Sequence, residues 1–170
     1  MNAENVHGTC ILYGSKALLL RGASGIGKSR LAWQILRNSS QYTRLVADDR
    51  VVLEMFHDRL IARPANNLAG LLEIRGMGII PFSFEARAQV SLVVDLVTAE
   101  ELLERWPRLP EPCDLSTAIS GVRLPLIRVN PVDPAAIERI DLAMRLAAYG
   151  VDKYCRGLAE EIELGLSNKV

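Results

Sequence analysis

A glycine-rich stretch early in the chain has the residue types that bind a phosphate chain. Its pattern, G-x-x-x-x-G-K-S, lies between a short apolar strand and an amphipathic segment, the context that a phosphate-binding loop requires. Glycine lets the backbone approach an anion closely, and the N–H groups that open the following helix favour negative charge. Lys28 is expected to reach the β- and γ-phosphates, and the Ser29 hydroxyl to bind Mg²⁺. The predicted phosphate-binding residues are Gly22, Ala23, Ser24, Gly25, Ile26, Gly27, Lys28 and Ser29.

A pair of acidic residues, Asp48 and Asp49, ends the next apolar run of the chain. A carboxylate that follows a strand downstream of a phosphate-binding loop is typical of the acid that binds Mg²⁺ or acts in catalysis in a nucleoside triphosphatase. Two adjacent carboxylates also suit separate roles, one ionised near a metal and the other exchanging a proton. The residues alone leave these roles open, and a solvated turn is the other interpretation.

Three further polar residues are ambiguous from their pattern alone. His7 precedes the first predicted strand, where a surface or capping residue is common, and Glu73 and Arg75 interrupt an apolar run. A charge in a buried pattern is costly unless it is paired or functional. Alternation along a strand would instead place both charges in water. The pattern therefore leaves a functional and a structural interpretation open for each of them.

Alternating apolar residues, interrupted by turn residues, predict the elements that position these side chains. Thr9–Tyr13 and residues 17–21 are expected to form a hairpin that leads into the glycine-rich loop. A helix should follow over residues 28–37, and residues 51–56 and 60–63 should form a second hairpin. The phosphate-binding loop is thereby placed between a strand and a helix, as its chemistry needs.

In the second half of the chain, the pattern of polar and apolar residues predicts a mobile polar loop over residues 82–89 and strands over residues 90–97 and Val122–Val129. Helices are expected after Thr98, which opens a capping box, and after Asp133, with Asp133 as N-cap and proline at the first helical position. That last helix should end at Tyr149. A further amphipathic helix is indicated by the apolar residues Leu158, Ile162 and Leu166.

Composition restricts the class of protein. The chain has 170 residues, which suits one domain over residues 1–170, and its 20 basic and 20 acidic residues cancel. There is no basic field to favour nucleic acid or a membrane surface. The apolar runs are shorter than a membrane span, and the N-terminus does not have the pattern of a secretory signal. Three scattered cysteines fit reduced thiols, so we expect a cytoplasmic protein.

Taken together, these segments resemble the catalytic domain of the HPr kinase/phosphorylase family. The resemblance covers about residues 6–150 and rests on four motifs in order. These are His7-Gly8, GASGIGKS, ADDRV at residues 47–51, and LLEIRGMGII at residues 71–80. The phosphate-binding loop is shared by many proteins, whereas ADDRV followed by LEIRG is specific. Because the chain begins at this domain, it resembles the short form of the family, which lacks the additional N-terminal domain.

The resemblance implies an activity, cofactors and a partner. Members of the family use ATP and Mg²⁺ to phosphorylate a serine of HPr, the small phosphocarrier of the sugar phosphotransferase system. Many also catalyse the reverse reaction, in which inorganic phosphate attacks phosphoserine-HPr and pyrophosphate is released. Family members assemble as hexamers. The implied fold is an α/β, P-loop kinase-like domain with a mixed central sheet, an N-terminal hairpin and C-terminal helices.

The resemblance also implies roles for individual residues. Lys28 would hold the phosphates, Ser29 and Glu73 would bind Mg²⁺, and Asp48 would be the general base for the seryl hydroxyl. Asp49 would support that site, and His7 would lie near Asp48 and tune it. Arg75 would contact phosphate or form a structural pair.

One segment departs from the family pattern. A Gly-Arg-Asn segment is usual near the C-terminal third, whereas this chain has Arg128 and Asn130 at a different spacing. Arg123 or Arg128 could substitute in phosphate contact, and the reverse reaction stays open. Two other functions also stay open: an ATP-binding sensor module without phosphoryl transfer, and a small-molecule P-loop kinase. The intact Asp48 argues against the sensor, and the lack of an arginine-rich lid argues against the small-molecule kinase.

Overall fold

The computed structural model describes residues 3–65, 67–108 and 110–155, which form strands, helices and one 3₁₀ turn. The strands are β1 (Ala3–His7), β2 (Thr9–Tyr13), β3 (Lys16–Arg21), β4 (Thr43–Ala47), β5 (Arg50–Phe56), β6 (Arg59–Pro64), β7 (Leu71–Ile74), β8 (Gly78–Pro81), β9 (Ala88–Leu96), β10 (Ser116–Ile119) and β11 (Val122–Val129). The helices are α1 (Lys28–Asn38), α2 (Ala99–Arg105) and α3 (Ala136–Ala147), and the 3₁₀ turn is Pro112–Leu115.

Most of the strands form one mixed sheet. Its order is β1-β5-β6-β9-β3-β2-β4, and β11 also pairs with β9 and carries β10. Strand β9 is parallel to β3 and β11, and the other pairs of this sheet are antiparallel. Strands β7 and β8 form a separate two-stranded hairpin. The expected mixed α/β fold with a central mixed sheet is confirmed.

The central strands are buried on both faces. Along β3, Leu18 and Leu20 pack in one apolar cluster with residues of α1 and α3. The alternate residues Ala17 and Leu19 pack in a second cluster with β5, β6, β10 and β11, because successive strand side chains point to opposite faces. Two-sided burial explains why the central strands are near-continuous apolar runs in the sequence. None of the helices within the described ranges is long and apolar enough to cross a bilayer.

The structure confirms the two predicted hairpins, the helix after the glycine-rich loop and the capping box at Thr98. The segment over residues 82–89 differs from the predicted mobile loop, because its last two residues are part of strand β9. Its earlier part is bonded to β4: the Leu45 N–H donates to Ser83 O, and the Glu85 N–H donates to Leu45 O. Backbone pairing, which the polar composition did not reveal, therefore holds this segment.

The prediction for the start of the last described helix is wrong. Helix α3 has Ala135 as its N-cap, and the Asp133 carboxylate accepts a hydrogen bond from the Ala135 N–H at 2.9 Å. The Ala136 N–H donates to Asp133 O, so Asp133 and Pro134 form a turn before the helix. The helix ends at Ala147, before Tyr149. The helix predicted from Leu158, Ile162 and Leu166 lies outside the described residues.

Gly8 joins β1 to β2 and lies against the end of β3. A Cβ atom at Gly8 would be 2.7 Å from the Leu20 carbonyl oxygen, closer than real Cβ contacts. Leu20 lies two residues before Gly22, the first residue of the loop, so this close approach fixes the β1–β2 connection against the strand that leads into the loop.

Gly8→Ala is therefore expected to lower the free energy of unfolding by about 3 kcal/mol, because its methyl group overlaps a carbonyl oxygen that the sheet holds in place. The matched control is Gly121→Ala in the β10–β11 turn, where φ is +81° and no atom lies within 4 Å of the added Cβ. Its cost should be only about 1 kcal/mol, the cost of the left-handed backbone. Urea unfolding measures both variants, and equal losses would contradict the close approach.

Candidate phosphate-binding site

The sheet brings three chain segments to one edge. Strand β3 ends at Arg21, directly before the glycine-rich loop, and β4 ends at Ala47, directly before Asp48. Strand β2 runs antiparallel between these two strands, with Thr9 opposite Leu20 and Cys10 opposite Ala47. The first residue of β2 therefore lies at the same edge as the last residues of β3 and β4.

The glycine-rich loop is open and ends in an uncapped helix. The N-cap of α1 is Gly27, with φ of 115°, and it makes no side-chain cap. The first turn of α1 holds no acidic residue. At Gly25, where φ is +80°, no atom lies within 4 Å of the position that a Cβ would take. Because the first N–H groups of a helix have no partners within it, this cradle fits an anion.

Lys28 is buried at the base of this loop, with 7% of its surface exposed. Its ammonium group donates hydrogen bonds to Gly22 O and Ala23 O, both at 2.9 Å. Burial lowers the pKa of Lys28 from its usual value, and the nearby Asp48 and Asp49 carboxylates oppose that shift. The Lys28 ammonium group is thus bonded to carbonyl oxygens of the loop. Phosphate oxygens of a bound ligand could take the place of these carbonyl oxygens as its acceptors.

Asp48 is buried, with 7% of its surface exposed, and its carboxylate accepts hydrogen bonds from three segments. Thr9 Oγ1 donates to Oδ1 at 2.6 Å, and the Ser29 hydroxyl lies 3.1 Å from both oxygens. The Glu73 N–H donates to Oδ2 at 3.3 Å. The structure therefore places Asp48 beside the Ser29 hydroxyl, at the end of the phosphate-binding loop.

Asp49 has different surroundings from its neighbour. Its backbone is left-handed, with φ of 64°, and 65% of its side chain is exposed. His7 Nδ1 lies 3.1 Å from both the carbonyl oxygen and the carboxylate oxygen Oδ1 of Asp49. The sequence-based expectation placed His7 beside Asp48, whereas its hydrogen bond is with Asp49. Both residues line a surface pocket of about 370 Å³, together with Asn5, Val6 and Arg50.

The β7–β8 hairpin brings Glu73 to the site through its backbone. The side chain of Glu73 is exposed, and Arg75 lies in the exposed turn between the two strands. Within the described ranges, no three His, Cys, Asp or Glu side chains form a group that could hold a metal. Magnesium commonly needs only one or two carboxylates beside phosphate oxygens and waters. Metal binding by Glu73 and phosphate contact by Arg75 stay predictions.

Arg128 lies at the same sheet edge but is held by other partners. Its guanidinium stacks 3.3 Å from the centre of the Trp106 ring and donates to Asp114 O at 2.9 Å. Burial lowers the pKa of Arg128 from its usual value. In the β9–β11 register it lies opposite Asp95, which forms a bidentate pair with Arg21 beside the glycine-rich loop. A phosphate contact by Arg128 stays a prediction.

Thr9 was not among the predicted site residues. It is fully buried and makes the shortest of the hydrogen bonds to Asp48. The available signal was a polar residue at the start of an apolar strand, TCILY. That signal does not identify a partner 39 residues away in the sequence.

Comparisons with known sequences agree on one family. A family model described as HPr Serine kinase C-terminal domain matches residues 1–152. HPr kinase/phosphorylase of Malacoplasma penetrans is 27% identical over 162 residues, which are 89% of this chain and 52% of the relative. HPr kinase/phosphorylase of Enterococcus faecalis is 37% identical over 133 residues, which are 74% of this chain and 41% of the relative. The chain thus spans about half, or less, of the length of these curated relatives.

A solved structure is also similar. The structure of the Hpr(Ser) kinase/phosphatase from Coxiella burnetii matches with a TM-score of 0.71 and 26% sequence identity. The match covers 86% of this chain and 99% of that chain. The family model, over residues 1–152, spans all the site residues described above.

Lys28→Met is expected to weaken ATP binding by about 10- to 100-fold, because a charge-assisted hydrogen bond to phosphate contributes about 1.5–3 kcal/mol. The unfolding temperature should change little, because the relief of a buried ammonium group is opposed by the loss of its hydrogen bonds to Gly22 O and Ala23 O. Titration calorimetry and thermal unfolding measure the two effects. The matched control is Lys16→Met, which removes a lysine bonded to Gln89 at the far end of β3. Equal weakening by both variants would contradict a specific role for Lys28.

Proposed function

Because the chain belongs to the HPr serine kinase C-terminal domain family, we propose that it transfers the γ-phosphoryl group of ATP to a serine hydroxyl of an HPr-type phosphocarrier protein. The observation that carries this proposal is the position of two adjacent carboxylates beside an open phosphate-binding loop. One of them, Asp48, is buried against Ser29, and the other, Asp49, is exposed.

The carboxylate pair favours phosphoryl transfer over nucleotide sensing. A phosphate-binding loop alone needs only N–H groups and a lysine. A serine hydroxyl is a weak nucleophile, however, so phosphoryl transfer to it is accelerated by a carboxylate within hydrogen-bond reach that accepts its proton. Asp49 lines a pocket that is open to solvent and large enough to admit a side chain of another protein. This arrangement suits a protein acceptor.

The donor set of the loop fits a triphosphate with Mg²⁺. Lys28 and the first N–H groups of α1 would hold the phosphates. The Ser29 hydroxyl and Glu73 are the groups that we propose for the metal. Bound Mg²⁺ would neutralise charge on the phosphate oxygens. Most of the acceleration in this type of reaction comes from alignment and charge stabilisation, which are the properties that a fixed loop provides.

The two carboxylates fit two roles. The contact of Asp48 with the Ser29 hydroxyl suits a group that fixes the metal side of the site. The exposure of Asp49 suits a group that an incoming hydroxyl can reach, with His7 orienting it. We therefore assign proton transfer to Asp49. This division reverses the sequence-based expectation, in which Asp48 accepted the proton and Asp49 supported it.

In the proposed step, the seryl oxygen of the acceptor forms a bond to the γ-phosphorus. The bond between that phosphorus and the oxygen bridging the β- and γ-phosphates breaks, and ADP leaves. The seryl proton passes to the Asp49 carboxylate. Lys28 and the N-terminus of α1 stabilise the charge that develops on the phosphate oxygens. The reverse reaction would use inorganic phosphate as the nucleophile and Asp49 as the proton donor, releasing pyrophosphate.

The acceptor is tested by supplying [γ-³²P]ATP with HPr, with an HPr variant that lacks its acceptor serine, and with sugar and nucleotide acceptors. Label on HPr but not on the variant is expected. Label on a small molecule would replace the proposal with a small-molecule kinase, and ATP binding without transfer would replace it with a sensor module. Incubation of phosphoserine-HPr with excess inorganic phosphate, followed by pyrophosphate detection, tests the reverse reaction.

Variants of the two carboxylates separate their roles. Asp49→Asn should lower kcat by about 100-fold or more, with an unchanged half-saturating Mg²⁺ concentration, because it removes a general base. Asp48→Asn should raise that Mg²⁺ concentration by about 10-fold or more, because it removes a group that supports a metal ligand. Asp58→Asn, in the exposed β5–β6 turn, is the control. The opposite pattern in steady-state kinetics would return proton transfer to Asp48.

A further inference from the structure

The hydroxyl group of Thr9 has no role in the proposed reaction, although it is fully buried at the site. A threonine hydroxyl has one proton, and that of Thr9 is directed to Asp48 Oδ1 at 2.6 Å. A short O–H···O⁻ contact of this kind is roughly twice as strong as a bond between neutral groups. A buried hydroxyl fixed on a buried carboxylate is therefore an organised part of the site.

The three donors to Asp48 are not equivalent. Ser29 Oγ lies 3.1 Å from each of the two carboxylate oxygens, so its single proton is shared between two acceptors. The Glu73 N–H is more distant, at 3.3 Å, and belongs to a hairpin outside the main sheet. Thr9 alone makes a short bond from a central strand. Its β-branched side chain also restricts χ1, which fixes the direction of the hydroxyl.

The position of Thr9 in the sheet makes this contact rigid. Strand β2 pairs with both β3, which leads into the glycine-rich loop, and β4, which leads into Asp48. Thr9 is the first residue of β2, next to the Gly8 connection that cannot accept a side chain without a shift of the backbone. The Thr9 hydroxyl therefore fixes the Asp48 carboxylate relative to β2, the strand that lies between β3 and β4.

We propose that Thr9 is a positioning residue, whose hydroxyl fixes the Asp48 carboxylate so that Ser29 presents its oxygen to the metal bound with the nucleotide. The proton of Ser29 is directed to Asp48, so the Ser29 lone pairs point away from the carboxylate and stay available to a metal. Loss of the Thr9 bond lets the carboxylate rotate and removes that orientation. The inference deepens the proposed function and rests on it for the identity of the nucleotide site.

The test uses Thr9→Val, which keeps the shape of the side chain and removes the hydroxyl, in the full chain. Binding of a non-hydrolysable ATP analogue is measured by calorimetry in Mn²⁺ and in EDTA, and bound Mn²⁺ by electron paramagnetic resonance. Thr9→Val should weaken Mn²⁺ binding to the protein–nucleotide complex by about 10-fold or more. Binding of the analogue in EDTA should stay within about 2-fold, and Thr9→Ser should restore Mn²⁺ binding.

Thr43→Val is the matched control, because it removes a hydroxyl at the other end of β4, where Thr43 donates weakly to Leu36 O. Equal weakening in Mn²⁺ and in EDTA would mean a merely structural role for Thr9 and would overturn the inference. Unchanged Mn²⁺ binding in a folded Thr9→Val variant, verified by thermal unfolding, would also overturn it. If Thr9→Val does not fold, Thr9→Ser and Thr9→Cys carry the same comparison, with Mn²⁺ binding expected to fall only for cysteine.

The outcomes separate this inference from the proposed function. A natural chain that binds Mn²⁺ with the analogue but does not phosphorylate HPr would refute the kinase proposal. The loss in Thr9→Val would still support the positioning role. A natural chain that phosphorylates HPr, together with a Thr9→Val variant of normal metal dependence, would refute only the positioning role. No Mn²⁺-dependent binding in the natural chain would refute both.

Discussion

The buried carboxylate of Asp48 is the group that the arrangement of the site depends on. An ionised carboxylate away from water is unfavourable unless donors surround it. Here the donors come from three segments: β2 supplies a hydroxyl, α1 supplies a second, and the β7–β8 hairpin supplies an N–H group. One charge therefore joins the phosphate-binding loop, through Ser29, to β2 and to the β7–β8 hairpin.

The backbone at the end of β4 explains how neighbouring carboxylates obtain different surroundings. Asp49 has a left-handed backbone, a conformation that aspartate adopts more readily than most residues, and the Arg50 N–H donates to Asp48 O. The tight turn directs Asp48 inward and leaves Asp49 at the surface beside His7. Burial and exposure of two adjacent acids thus follow from a single turn, without any difference in side-chain chemistry.

Local patterns explain how much of this could be predicted. The glycine-rich loop, its helix and the two hairpins depend on spacing within about ten residues, so the sequence predicted them well. The contact of His7 with Asp49 depends on β1 pairing with β5, and the contact of Thr9 with Asp48 depends on β2 lying beside β4. Such long-range register has no local signal. The roles of Asp48 and Asp49 depend on which of them is buried, and two adjacent aspartates in one motif give no sign of that.

The arrangement around Asp48 is tested most directly by a crystal structure of the chain with a non-hydrolysable ATP analogue and Mn²⁺, with the metal located by its anomalous signal. We expect the triphosphate in the glycine-rich loop, the metal in contact with Ser29 Oγ, and the Asp48 carboxylate still bonded to Thr9. A metal and triphosphate bound elsewhere, or an Asp48 carboxylate turned away from Ser29 in the complex, would contradict this arrangement.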